Sequence, residues 1–344
     1  MNENKAAAKE SGNNFNLKVL IKKEKFGLVC AIIVLIIFFG IMNPKFFTGT
    51  NITNILRQMS PMAIGAAGVS LALLLGGIDL SIGSIIGVAS VFGATWIKFF
   101  YEIMGGWGII LGAVLCLILC FFCGAGQGWI IAKYGIPAFI VTLGGQTFFR
   151  GAVFVYTQGM PIAGLPEPFL KIATGAVGKH AFNSDFPGIP YLAIIALLIY
   201  LILHFMLTRT KLGRYLYAIG GNEDAAILSG IKVKRFKILA HALASCLGGI
   251  AGLVLTARVV TGQPIQGEGM ELDFIAATVI GGTSFRGGEG SMGGTILGVL
   301  VISLIRNGLN LLKVSSFIQM MVIGAMIILA VIIDTLQKGR DRLK

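Results

Sequence analysis

Apolar runs, most of them close to the roughly 20 residues that a membrane-spanning helix needs, follow one another along nearly the whole chain. They cover residues 26–42, 59–75, 82–100, 108–132, 136–156, 189–207, 238–260, 273–283, 291–306 and 317–334. The pattern predicts an all-α polytopic membrane protein of about ten transmembrane helices. A polar segment at 1–25 precedes the membrane domain at 26–334, and a basic tail at 335–344 follows it. The runs around 142–150 and 273–283 are short or interrupted by glycine and polar residues, so interrupted helices are expected. The stretch "LALLLGGIDLSIGSIIGVASVFGA" (71–94) carries Asp79 at its centre. A carboxylate at the middle of a bilayer costs about 2.5–3.5 kcal/mol.

Glycine sharpens this picture. Gly83/Gly87 and Gly294/Gly298 have the spacing of close helix contacts, and "GAGQG" (124–128) and "LGGIAG" (247–252) add small faces. "GGIDLS" (76–81) and "GGTSFRGGEGSMGG" (281–294) differ, because paired glycines there stand beside polar residues. Such interruptions survive at membrane depth only when buried in protein or lining a watery cavity, and in transporters they gather around the path. Both segments read as apolar run, Gly-Gly, polar residues, apolar helix, which suggests an internal repeat. Asp79 has two readings. It is the coupling site of an ion-driven carrier, or it and Ser81 start the helix at 82–100, where an anion suits the positive N-terminus. The second is favoured, since a break followed by D-x-S is what a helix start looks like.

Composition places the chain in the membrane: 56% hydrophobic and 12% charged, with a mean hydropathy of +0.86, against about a quarter charged in soluble domains. The net charge of +13 is topological rather than a nucleic-acid footprint. Six Lys lie in 1–25, seven Lys/Arg in 209–237 and four in 335–344, together 17 of 28 basic residues. The positive-inside rule puts these segments, and both termini, in the cytoplasm. The acid-bearing "GQPIQGEGMELD" (262–273) is then expected outside, and the first helix is expected to remain as an anchor. Cys30, Cys116, Cys120, Cys123 and Cys246 fall inside spans and read as small packing residues. His204 and His241 fall at predicted helix ends, and His180 stands apart from both. No P-loop and no H-E-x-x-H is present, so neither nucleotide hydrolysis nor metalloprotease chemistry is expected here.

The longest candidate cytoplasmic loop is "RTKLGRYLYAIGGNEDAAILSGIKVKRFK" (209–237). Asn222 suits an N-cap, Glu223 and Asp224 suit the first turn, and Gly230 suits the stop. A two-turn helix exposing small and apolar residues is predicted, either resting on lipid or docking into a partner's groove.

"GGIDLSIGS", "IPAFIVTLGGQTFFRGAVFVYTQGMPI", this loop and "LDFIAATVIGGTSFRGGEGSMGGTILG" together resemble the permease subunits of bacterial ATP-binding-cassette sugar importers of the ribose/galactose/xylose group. The resemblance spans about residues 26 to 334. It implies a plasma-membrane homodimer of permeases, a cytoplasmic ATPase carrying ATP and Mg, and an extracytoplasmic sugar-binding protein. The chain itself would bind no cofactor or metal. By the motif match, Asn222, Glu223, Asp224, Ala225, Ala226 and Gly230 form the coupling helix seated on the ATPase. Alternating access would follow, with the binding protein on the outer segments 157–188 and 262–273. Asp79, Ser81, Thr142, Gln146, Ser284 and Asn307 are the candidate polar residues of the path. An ion-coupled secondary transporter using Asp79, or a channel with a glycine-rich filter, are the competing classes.

Overall fold

The computed structural model describes residues 26–179 and 187–341; the segment 1–25 and His180 lie outside them. Thirteen α-helices occur among the described residues: α1 (Phe26–Met42), α2 (Gly49–Leu74), α3 (Ile82–Met104), α4 (Gly106–Tyr134), α5 (Ala138–Thr157), α6 (Glu167–Thr174), α7 (Tyr191–Arg209), α8 (Lys211–Gly221), α9 (Glu223–Leu228), α10 (Val233–Val259), α11 (Met270–Ile280), α12 (Met292–Leu311) and α13 (Ser316–Asp341). All ten apolar runs are helical over most of their length, and the run expected to be interrupted around 142–150 is instead the unbroken helix α5, its glycines and polar residues accommodated within the helix. Among the described residues, six helices, α3, α4, α5, α7, α10 and α12, are long and apolar enough to cross a membrane. The chain is a multi-pass helical membrane protein. At about 1.5 Å per residue, the 11-residue α11 covers only about half of a 30 Å hydrocarbon core.

Two helices start earlier than the apolar pattern predicts, the first of them at a side-chain cap. Thr48 Oγ1 accepts from Asn51 N–H at 3.3 Å, so α2 begins at Gly49 and runs on through Pro61. Helix α10 begins at Val233 with no side-chain cap bond from Lys232, which places His241 more than two turns inside it and not at a helix end.

The centre is α10, packed between α2, α3 and α4; around α2 stand α7, α11 and α12. The small faces read from sequence are the contacts. Gly248 and Gly252 of α10 lie against Ile82, Ile86 and Ala89 of α3, and Gly124 and Gly128 of α4 lie against α10. Gly294 and Gly298 of α12 press on the backbone of Gly281 and Ala277. Polar side chains staple the same helices: Tyr200 donates to Ala63 O at 3.0 Å, and Ser70 and Thr295 hydroxyls meet at 2.9 Å. Asn51 and Asn307 exchange two amide hydrogen bonds at 3.0 and 2.9 Å. All five cysteines are free, with Cys116 and Cys120 buried in the packing.

Candidate functional site

Both interrupted segments end their leading helix by the same device. After α2, Gly76 N–H bonds Leu73 O (2.8 Å) and Gly77 N–H bonds Ala72 O (3.1 Å). After α11, Gly282 N–H bonds Val279 O (2.8 Å) and Thr283 N–H bonds Thr278 O (3.1 Å). These are Schellman motifs, and their left-handed residues, Gly76 (φ 75°) and Gly282 (φ 89°), explain the glycine of each pair that the motif needs.

Within the first break, Asp79 is fully buried. Its Oδ1 accepts from Ser81 N–H at 2.9 Å and from Ser81 Oγ at 2.7 Å. This is a local turn that sets the chain's angle into α3. Ser81 itself makes no side-chain cap bond; its hydroxyl lies 2.9 Å from the Gln127 side-chain amide. The other carboxylate oxygen faces His241 Nδ1 at 3.7 Å, and neither atom has a hydrogen-bond partner among the described residues. Nothing local in the sequence pairs Asp79 with His241 or Gln127, since both come from distant helices. Buried Thr142 of α5 ties the break down, accepting from Leu80 N–H at 3.2 Å with Ile78 O in donor reach at 3.0 Å.

The acidic segment 262–273 is packed against the helices rather than standing free, and Gly262 bridges to Ile162. Gly262 lies against Ser90 and Ala94 of α3, and Gly267 against Gly83, so the chain runs down into the bundle before α11 begins. Two of its three acids, Glu271 and Asp273, are held by partners from other helices. Arg150 of α5 donates to the carbonyls of Pro264, Gln266 (2.9 Å) and Gly83 (3.0 Å). Ser90 Oγ accepts from Gln263 N–H at 2.9 Å and donates to Gln266 Oε1 at 2.8 Å. Glu271 Oε1 accepts from Gln146 Nε2 at 2.9 Å, and Asp273 pairs with Arg306 at 2.6 Å. Ile265, Glu268 and Leu272 of this segment remain exposed. Arg150 is therefore a positioning group.

The loop 209–237 holds two helices. Alongside the predicted short helix, α9, stands α8, whose buried Gly213, Leu216 and Ile219 recur every three residues. Asn222 caps α9, accepting from Ala225 N–H at 2.9 Å. A third Schellman motif closes it, with Gly230 N–H on Ile227 O and Ile231 N–H on Ala226 O. Asn222, Glu223, Asp224, Ala225 and Gly230 are exposed, whereas Ala226 is packed with Ile219 and Val233. Leu228 is 89% and Ile227 53% exposed, a pair of large apolar side chains with nothing covering them. Glu223 is bound to Lys237 of α10 at 2.7 Å. Behind that ion pair a polar cavity of about 190 Å³ reaches Gly76, Gly77 and His241.

The path candidates separate. Asp79, Ser81, Thr142, Ser284 and Asn307 are buried inside the chain, and Gln146 alone borders its open side. Ser284 Oγ accepts from Arg286 N–H at 3.1 Å within the second break. Tyr217 of α8 donates to Gly290 O at 2.9 Å, and partial burial raises its phenol above the ordinary value, which keeps it a donor.

Residues 51–331 match the family profile described as branched-chain amino acid transport system / permease component. The chain belongs to this permease family. Among its relatives, the ribose import permease protein RbsC of Bacillus subtilis (strain 168) is 42% identical over 312 residues, covering 90% of this chain and 92% of the relative. RbsC of Escherichia coli (strain K12) is 39% identical over 325 residues, 94% and 97% of the two chains. The xylose transport system permease protein XylH of the same strain is 32% identical over 392 residues, 98% of each. No solved structure matches the permease. The first resemblance, to sugar-importer permeases, thus holds at the level of family and length.

Proposed function

We propose that this permease is the membrane-spanning subunit of an ATP-driven importer of a monosaccharide, ribose or a closely related sugar. The observation that carries the proposal is α9: a capped two-turn helix, fixed by Lys237, that leaves Leu228 and Ile227 bare beside a basic cluster. Apolar side chains held bare on a capped, fixed helix suit insertion into a partner's groove, and a separate ATPase is the partner that fits a chain without a P-loop. The names of the relatives support the sugar class. In this reading Asn222, Glu223, Asp224, Ala225 and Gly230 frame the docking helix, and Ala226 anchors it from beneath. The positive-inside rule then places α8 and α9 in the cytoplasm with both termini, and ATP and Mg act on the ATPase.

The sugar arrives from an extracytoplasmic binding protein at the opposite end, where α6 and the hairpin of Ala176–Val177 with Ile189–Pro190 lie. It passes along the open side of α5, with Gln146 at its edge, between this chain and a second copy. Asp79, Ser81, Thr142, Ser284 and Asn307 serve that path by shaping the breaks and helix contacts around it.

Reconstitution tests the proposal. Ribose uptake into vesicles should require the ATPase and vanish when its hydrolysis is inactivated; uptake that persists on an ion gradient alone refutes it. Leu228→Glu should lower ATPase co-purification by about tenfold or more, as removal of a central apolar anchor does, with the melting temperature unchanged.

A further inference from the structure

We infer that the two helix breaks and the docking helix form one mechanical junction of backbone on backbone, and that this junction moves the half-helix α11 when the ATPase closes. The inference rests on the docking reading of α9 and names what lies behind it. Three Gly-Gly pairs from distant parts of the sequence meet there: Gly76–Gly77, Gly220–Gly221 and Gly287–Gly288. Gly288 N–H of the second break donates to Leu74 O, the end of α2, at 2.9 Å. Gly220, at the end of α8 and two residues before the α9 cap, faces both groups of that hydrogen bond so closely that a Cβ there would overlap Leu74 O and lie 2.5 Å from Gly288 N. A Cβ at Gly287 would stand 2.6 Å from Gly76 N and 2.9 Å from Gly220 O, and one at Gly288 would stand 2.7 Å from Gly221 Cα. Tyr217 Oη, one turn back on α8, holds Gly290 O at 2.9 Å.

Contacts without side chains between them have no rotamers to absorb a displacement. A shift of α8 and α9 is therefore delivered to both breaks together. The second break passes it on, because Gly281 and Ala277 of α11 press directly on Gly294 and Gly298 of α12. Thus α11 carries Glu271, Asp273 and exposed Leu272 at its first turn, beside the open face of α5. Gly220, Gly288 and Tyr217 are positioning residues for coupling. They touch no sugar and no nucleotide in this reading.

The test uses the reconstituted importer with ATPase and binding protein, and reads sugar taken up per ATP hydrolysed. Gly220→Ala and Gly288→Ala should lower that ratio about tenfold or more, within the range of coupling between linked sites, with ATPase co-purification retained. Tyr217→Phe removes one hydroxyl without disturbing packing and should lower the ratio about threefold. It decides the matter if the alanine variants do not fold. An unchanged ratio in Tyr217→Phe, or in folded Gly288→Ala, overturns the junction while leaving docking intact. Failure of the unaltered chain to retain the ATPase overturns the docking reading, and the junction with it.

Discussion

Asp79 uses its two oxygens differently. Oδ1 takes two hydrogen bonds from Ser81, whereas Oδ2 faces His241 across 3.7 Å without one. A neutral amide can serve both places, accepting from Ser81 and donating to an unprotonated Nδ1. Asp79→Asn should therefore keep its fold and its ATP-driven uptake, measured by thermal unfolding in detergent and by vesicle transport. Asp79→Leu removes the acceptor of the buried Ser81 N–H and should lose about 1–3 kcal/mol. Uptake abolished in a fully folded Asp79→Asn would instead restore the ion-coupling role. The sequence showed that an acid at this depth must be answered. It could not show by what, because His241 and Gln127 come from helices 162 and 48 residues further along the chain.

At the level of elements, the descending segment 262–269 depends on one guanidinium. Arg150 offers donors in a fixed fork to three carbonyls, and a lysine ammonium cannot reproduce that geometry. Arg150→Lys should raise amide hydrogen exchange across 262–269 by about tenfold, a loss near one hydrogen bond's net worth, while α9 exchanges as before. Equal protection in both proteins would show that Ser90 and the packing of Gly262 suffice. The three short-range signatures were legible beforehand: Asn222 as cap, Gly230 as stop, and glycine pairs at both breaks. Each is set by residues within about six positions of one another, the reach of a capping motif. α8 was missed because its buried face is sparse and includes a glycine.

For the molecule as a whole, the exposed apolar surface is of two kinds. On α1, α7 and α13 large aliphatic and aromatic residues face outward, as lipid contact demands. On α5 the exposed face mixes Gly144, Thr147 and Gly151 with Leu143 and Phe148, and it adjoins exposed Ile265, Glu268 and Leu272. Small and polar residues suit close approach of another helix rather than lipid. A second copy meeting this face predicts that Thr147→Cys yields an oxidation-dependent dimer in native membranes, absent from the unaltered chain. A monomer under oxidising conditions would move the interface elsewhere.

Sequence alone determined that the chain lives in a bilayer, where its apolar helices fall, where the two glycine-paired breaks lie and where a short capped helix stands clear. Those properties follow from hydrophobic length and from backbone groups that must bond nearby. Only the tertiary structure decided that the acidic segment turns inward, that Asp79 answers to His241, and that three glycine pairs from different parts of the sequence converge behind α9. Burial and charge compensation at those places depend on which helices lie side by side, and that adjacency is created by packing, not by neighbouring residues.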